Sequence, residues 1–411
     1  MGPFATIVSS VTVALVILLC VIGTALFFDF TNGFHDTGNA VASSIATGAL
    51  KPKTAVALAA TMNLVGAFLS VAVALTVTNS VVKLQADDGT PLPQLVNDHG
   101  HALLVIVLAG LIGAILWNMF TWLLGLPSSS SYALLGGIIG ATLAGLGASG
   151  VKWVGDGTKI DGVVGKILVP AVLSPVIAGV IAMVGTWVVM KLAAGREEQR
   201  SARGFKWGQI SAASLVSLAH GTNDAQKTMG VITLGLIAYG SVGLEDGVPF
   251  WVKLICALAI AGGTYLGGWR IIRTLSKGLV EITAPQGMAA DGASSAVILA
   301  ASHLGVPLST TQVASGSILG SGVGRPGAHV RWSVAGRMVV AWATTLPAAG
   351  LLGALMWWIA DLFGGAAGPL VIMVLLVAGA GYMFNRSRDH KVDHHNVGEI
   401  WEGAPPVRKV K

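Results

Sequence analysis

Charge is what this chain has least of. Only 11% of its 411 residues are Asp, Glu, Lys or Arg, where an ordinary soluble domain carries roughly 25%. Its two cysteines, Cys20 and Cys256, both lie in apolar stretches, so no disulfide framework and no CxxC metal site is on offer. The net charge of +6 comes from loops and the tail, and no basic run resembles a nucleic-acid stripe. Enzyme signatures are missing as well: there is no nucleophile elbow, no HExxH and no Walker loop. The glycine string 316–324 has no strand before it, which removes a dinucleotide reading. The N-terminus lacks a basic n-region and a cleavage site, so the apolar run 7–28 reads as a retained first span rather than a signal peptide.

What fills the chain instead is hydrocarbon. Hydrophobic residues make up 54%, and stretches such as 102–124, 167–190 and 369–384 approach the roughly 20 residues that cross a bilayer. They lack the polar faces that a soluble helix needs. The 55 glycines suit close helix packing in lipid. The sequence therefore predicts an all-α, polytopic transmembrane protein. Eleven segments are expected: 7–50, 54–80, 102–124, 127–148, 167–190, 208–239, 252–269, 279–303, 307–322, 336–360 and 369–385. The first and the sixth are expected to be broken helices, interrupted by polar, glycine-bearing strings.

A repeat runs through these segments. Leu124-Gly125-Leu126-Pro127-Ser128-Ser129-Ser130-Ser131 recurs as Leu304-Gly305-Val306-Pro307-Leu308-Ser309-Thr310-Thr311. Upstream of each lies a polar string, Gly33-Phe34-His35-Asp36-Thr37-Gly38-Asn39 and Gly221-Thr222-Asn223-Asp224-Ala225-Gln226-Lys227. Five segments per copy start the second copy on the opposite side, so the repeats are expected to be inverted. The organisation expected is a first membrane repeat over 1–190, a cytoplasmic basic linker over 191–207 and a second, inverted repeat over 208–360. An extra transmembrane helix over 361–385 and a polar cytoplasmic tail over 386–411 follow. Loop charges agree. With 191–206 in the cytoplasm, Lys51, Lys53, Arg270–Lys277, Arg325–Arg331 and the tail fall inside, while Asp87, Asp88, Asp98, Glu245, Asp246 and Asp361 fall outside. This is the distribution of the positive-inside rule.

Ionisable groups at membrane depth cost at least a few kcal/mol each and are functional by default. Here they are Asp29, His35, Asp36, His220, Asp224 and Lys227, with Asp291 and His303 further on. Each alone has a plainer reading, as a cap, a packing histidine or half of an ion pair. Asp36 and Asp224 recur at matching places, which favours a shared site. The Pro-Ser/Thr strings would start helices at midplane, where free amides and hydroxyls cradle an anion. Together with Asn39, Asn223 and Lys227 this suits a tetrahedral oxyanion. Carboxylates would accept a hydrogen bond from an oxyanion that still carries a proton, which hydrogen phosphate has and sulfate lacks.

These strings are similar to the signatures of the inorganic phosphate transporter (PiT) family, in its bacterial form. Residues 28–42 resemble the first signature, 220–227 the second, and the two Pro-x-Ser strings the family's own. The resemblance covers nearly the whole membrane region and leaves the tail outside. It implies a secondary transporter, not an enzyme, that takes up inorganic phosphate in symport with protons or sodium, or carries it as a metal–phosphate complex. It carries Asp36, Asn39, Asn223 and Asp224 over as substrate or coupling-ion residues and Ser129, Ser131, Ser309, Thr310 and Thr311 as phosphate donors. Ser130 and Lys227 complete the expected substrate set from the residues themselves, as a further hydroxyl and the one cation at depth. Asp29, Asn32, Asp36, Asp224 and Asp291 are the expected coupling-ion set. Asn63 and Leu111 stand where animal members have glutamates, and Lys227 where they have a second Asn, so protons are expected over sodium. No cofactor is expected, a divalent metal being considered only as co-substrate. The expected partners are phosphate and the lipid bilayer of a cell membrane, with no nucleic acid; a homodimer is the assembly considered. A sulfate or thiosulfate permease of the same architecture and a passive anion channel remain as alternatives.

Overall fold

The computed structural model describes residues 3–83, 97–155, 161–193, 198–243 and 245–398. Asp87, Asp88 and the end of the tail, on which part of the topology argument rests, lie outside the described residues. Thirteen α-helices are found among the described residues: α1 (Pro3–Ala46), α2 (Pro52–Gly66), α3 (Ala72–Ser80), α4 (His101–Leu123), α5 (Ser130–Leu146), α6 (Val169–Ala193) and α7 (Glu198–Tyr239). They continue as α8 (Phe250–Leu266), α9 (Trp269–Lys277), α10 (Ala284–His303), α11 (Thr310–Val323), α12 (Trp332–Phe363) and α13 (Ala367–Ser387). Among these residues there is no strand, only two isolated bridges, Val82 to Val151 and Val280 to Val330.

The exterior is apolar. Val172, Val176 and Val180 on α6, Val340 and Leu351 on α12, and Val374 and Val377 on α13 all lie exposed, while Asp29, Asp36, Asp224, Asp291 and Lys227 are buried. Water as solvent would reverse that distribution, so the chain is a membrane protein. Among the described residues five helices are long and apolar enough to cross a bilayer: α1, α4 with the turn before it, α6 with the turn before it, α12 and α13. α8 and α9 make a sixth candidate, bent by 65° at Gly267–Gly268. α5 and α11, with 17 and 14 residues, reach only about 25 and 21 Å, short of the roughly 30 Å hydrocarbon core. Each instead returns along a preceding partner, α4 or α10, as a hairpin.

Here the sequence expectation is corrected. The polar strings do not break their helices: α1 runs on for 44 residues and α7 for 42. The breaks lie in the neighbouring segments, between α2 and α3 over 67–71 and between α8 and α9. The reason is local. Thr37 Oγ1 donates back to Gly33 O at 2.6 Å, and the other polar side chains bond across to facing helices, so the helical ladder never has to open. Glycine in these strings serves contact, not flexibility. A Cβ built on Gly33 would lie 2.2 Å from the carbonyl oxygen of Ile260 in α8, and one on Gly221 would lie 2.2 Å from that of Asn63 in α2.

That pair of contacts is one of several in which the halves change places, the contacts of α13 with α4 and α12 being without a counterpart. α1 packs on α8 and α7 on α2. α5 packs on α12 and α11 on α6. A Cβ on Gly140 would meet the carbonyl of Gly350 at 1.9 Å, and one on Gly320 that of Gly179 at 1.9 Å. The tip of the α4–α5 hairpin rests on α9 through Gly125 and Thr274, whose Oγ1 donates to Gly125 O at 2.8 Å. The tip of the α10–α11 hairpin rests on α3, with Gly305 beside Ala72 and Thr76. Residues 191–193 and 198–207 of the expected linker extend α6 and α7, and 194–197 lie outside the described residues. The first part of the tail folds back. Arg270 donates to Ser387 O at 2.7 Å, the ring of His394 lies 6.1 Å from that of Trp269, and Val397 is buried.

Candidate functional site

Two helix faces and two hairpin tips meet in the interior. On α1 the spacing of Asn32, His35, Asp36 and Asn39 puts all four on one stripe, since positions three and four apart stack on a helix. The stripe recurs on α7 as His220, Asn223, Asp224 and Lys227, each 188 positions later in the sequence. The tips supply Ser128–Ser131 and Leu308–Thr311, and all of these side chains are buried.

Within each half, a hydroxyl meets the carboxylate. Ser130 Oγ donates to Asp36 Oδ2 at 2.5 Å and lies 2.6 Å from Asn32 Oδ1. Thr310 Oγ1 donates to Asp224 Oδ2 at 2.9 Å. Between halves, the contacts cross. Asn39 Nδ2 donates to Thr311 Oγ1 at 3.0 Å, and Lys227 Nζ donates to Ser131 Oγ at 2.6 Å. A hydroxyl with a charged or amide neighbour can turn towards a ligand at little cost, because it both donates and accepts.

Histidines complete both carboxylates. His35 Nδ1 lies 2.5 Å from Asp36 Oδ1, with its Nε2 3.4 Å from both Thr121 and Ser128. His220 Nε2 lies 2.9 Å from Asp224 Oδ2, and its Nδ1 3.2 Å from Asn63 Oδ1. Asp224 has a further partner in Lys227. The ligand atoms of Asp36, His220 and Asp224 lie within 4.8 Å of one another, a grouping that can hold a metal ion. Both histidines stood out in the sequence as ionisable groups at depth, but nothing in their spacing separated a carboxylate partner from a packing residue.

Of the expected substrate residues, Asp36, Asn39, Ser130, Ser131, Asp224, Lys227, Thr310 and Thr311 come together as described. Ser129 and Ser309 sit among them with a different job. Each is the N-cap of its helix, its hydroxyl accepting the amide of Tyr132 or Gln312 at 3.2 Å. Asn223 points sideways to Ser302, its Nδ2 donating to Oγ at 2.9 Å. Asn32 joins the site through Ser130. Asp29 is buried one turn before Asn32 on α1, and neither of its oxygens has a hydrogen-bond partner.

Asp291 is set apart. Ser43 donates to its carboxylate, 2.8 and 2.6 Å from the two oxygens, and Gln209 Nε2 donates to one of them at 2.6 Å. Ser43 lies two turns beyond Asp36, about 10 Å along α1. Sequence reasoning missed Ser43 and Gln209. Ser43 had a signal, being seven residues from Asp36 on the same stripe; Gln209 had none.

Comparison with known proteins places the chain in a family. Residues 32–353 match the model of the phosphate transporter family. A Mycobacterium tuberculosis protein named "Probable low-affinity inorganic phosphate transporter" is 56% identical over 390 residues, covering 95% of this chain and 88% of that one. A Bacillus subtilis protein of the same name is 38% identical over 351 residues, 85% of this chain and 99% of that one. Among solved structures, one titled "The sodium-dependent phosphate transporter" superposes with a TM-score of 0.70 at 20% identity, over 84% of this chain and 99% of that one; at that identity it speaks for the fold alone. The family match over residues 32–353 and the 56% identity over nearly the whole chain make it a member of the phosphate transporter family, a transporter and not an enzyme.

Proposed function

We propose that this protein is a symporter of inorganic phosphate, coupled to protons and working in the cell membrane. Phosphate sits between the two hairpin tips, held by Ser130, Ser131, Thr310 and Thr311 and by the free amides of α5 and α11, with Asn39 and Asn223 at its edges. The observation that carries coupling is a charge count. Among the described residues, four carboxyl groups (Asp29, Asp36, Asp224, Asp291) and one ammonium (Lys227) are buried. An anion cannot join such an excess of negative charge unless protons or cations come with it. Hydrogen phosphate brings one proton, and the carboxylates can take others.

The halves would be inverted repeats in the bilayer, with 191–206 and the tail in the cytoplasm and 83–101 outside. The exchange of contacts between halves supports that reading, as does the basic character of the segments placed inside. Uptake of radiolabelled phosphate into liposomes tests the coupling. An inward proton gradient should drive accumulation and an inward sodium gradient alone should not; the reverse result would reject protons as the coupling ion.

A second reading concerns the form of the substrate. The clustering of Asp36, His220 and Asp224 suits a divalent metal that enters bound to phosphate as a neutral complex. Uptake of phosphate and of a labelled divalent metal in a fixed ratio would support it, and phosphate uptake unaffected by chelation would dismiss it. Sulfate, lacking a proton to offer, should compete weakly.

A further inference from the structure

Within the two four-residue stripes, Lys227 is the position at which the halves differ in formal charge. Its counterpart 188 positions earlier is Asn39, and the two reach matching partners, Lys227 to Ser131 and Asn39 to Thr311. The ammonium is fully buried. A lysine has three N–H donors, and all three are committed: to Asp224 Oδ1, to Ser131 Oγ at 2.6 Å and to Leu308 O at 2.9 Å. None is left for an anion. The three acceptors, a carboxylate, a hydroxyl and a backbone carbonyl, are oxygens. That is the ligand set of a small hard cation, and none of them would be chosen to surround an anion-binding lysine.

We propose that Lys227 is a tethered cation: its ammonium permanently fills, in the second half of the site, a place that would otherwise need a monovalent cation from solution. This rests on phosphate being the substrate. Its role is to set how many cations accompany each phosphate, not to hold phosphate directly. Charge neutralisation in the second half is covalent and travels with no substrate. In the first half, Asn39 brings no charge, so His35 is the basic group beside Asp36, and the buried Asn39 Oδ1 has no partner. Replacing Lys227 by asparagine would give both halves the same amide and leave Asp224 to recruit a free cation.

The test is the dependence of phosphate affinity on sodium, with ionic strength held by N-methylglucamine. By mass action, the slope of log Kd against log sodium counts sodium ions taken up with each phosphate. Lys227→Asn should steepen that slope by about one relative to the parent, so that phosphate Kd worsens by about tenfold for each tenfold dilution of sodium. Lys227→Arg, which keeps the charge, should keep the parent slope. So should Asp224→Asn/Lys227→Asn, which removes both charges and leaves nothing to neutralise.

A Lys227→Asn protein with the parent slope and phosphate binding weakened equally at every sodium concentration overturns the proposal, because the ammonium is then a phosphate ligand. A variant whose binding depends on pH and not on sodium overturns it too, since the place then takes a proton. Should Lys227→Asn fail to fold, Lys227→Gln, which also removes the charge and keeps more of the side chain, decides by the same reading. A sodium slope steeper than the parent's by about one upholds the tethered cation, and the parent slope refutes it. A parent that binds sulfate and not phosphate would reject the substrate instead, and the same slopes measured with sulfate would still decide the role of Lys227.

Discussion

Asp36 and Asp224 occupy matching places and are partnered differently, one by a histidine and the other by a histidine and a lysine. The difference separates two mutants that look alike on paper. Asp224→Asn strands a buried ammonium, which costs about 3–5 kcal/mol when one partner of a buried pair is removed. Asp36→Asn leaves an imidazole, which carries no fixed charge, as its neighbour. Both should abolish gradient-driven uptake, but Asp224→Asn should melt at a clearly lower temperature in detergent; equal melting would show that Lys227 has another partner in solution. The hydroxyls divide in a similar way. Ser130→Ala and Thr310→Ala should weaken phosphate about ten- to a hundredfold, the worth of roughly 1.5–3 kcal/mol for a hydrogen bond to a charged group. Ser129→Ala and Ser309→Ala remove caps instead, at about 0.5–2 kcal/mol of stability. They should lower the melting temperature with phosphate affinity, read by calorimetry, nearly unchanged. The recurrence of Asp36 and Asp224 at depth was legible in the sequence because charge there is so rare. Which serine of four in a row is the cap was not. That depends on the extended backbone at Ser129 and Ser309, φ −94° and −89°, a property that no residue type in the string announces.

Helices in this protein touch through glycine, and the places where they do were misjudged by pattern alone. A glycine within a polar string reads as an interruption, yet α1 and α7 pass straight through theirs, with Gly33 and Gly221 pressed to facing carbonyls. The true breaks at 67–71 and 267–268 lie in segments whose hydropathy gave no warning, since a bend inside a bundle can be satisfied by neighbouring helices. Spacing along the chain cannot find such bends, because the residue that caps one of them, Gln226, does so from another helix: its Oε1 accepts the amide of Val73 at 2.8 Å. Close contact makes a sharp test. Gly140→Ala and Gly320→Ala each drive a methyl into a backbone carbonyl and should destabilise by about 1–3 kcal/mol or more. Gly292→Ala, in α10 with open space around it, should be neutral or gain up to about 1 kcal/mol. Melting of the three purified variants checks the ordering. If Gly140→Ala is as stable as Gly292→Ala, the halves do not approach as closely as described.

Across the whole molecule hydropathy led to eleven expected membrane segments, whereas among the described residues five helices, or six with the bent pair α8–α9, are long and apolar enough to cross. The two differ because a short helix that returns as a hairpin is as apolar as one that crosses. The sidedness of the loops is a proposal drawn from charge. The proposed sidedness predicts that, in a variant lacking Cys20 and Cys256, Asn97→Cys is labelled by impermeant maleimide in intact cells and Ala202→Cys only after the membrane is opened. The reverse pattern would turn the molecule over. The exchange of contacts also has a consequence for how the protein is made. A ribosome delivers α1, α2, α5 and α6 first, but the helices against which they pack, α8, α7, α12 and α11, emerge as many as about 200 residues later. The first half therefore waits in the bilayer with its glycine faces and its buried Asp36 exposed to lipid, a condition that membrane quality control is built to detect. A chain stopped at residue 196 should be degraded when expressed alone and protected when residues 197–411 are supplied as a second polypeptide, which makes the late helices the ones that decide whether the early ones survive.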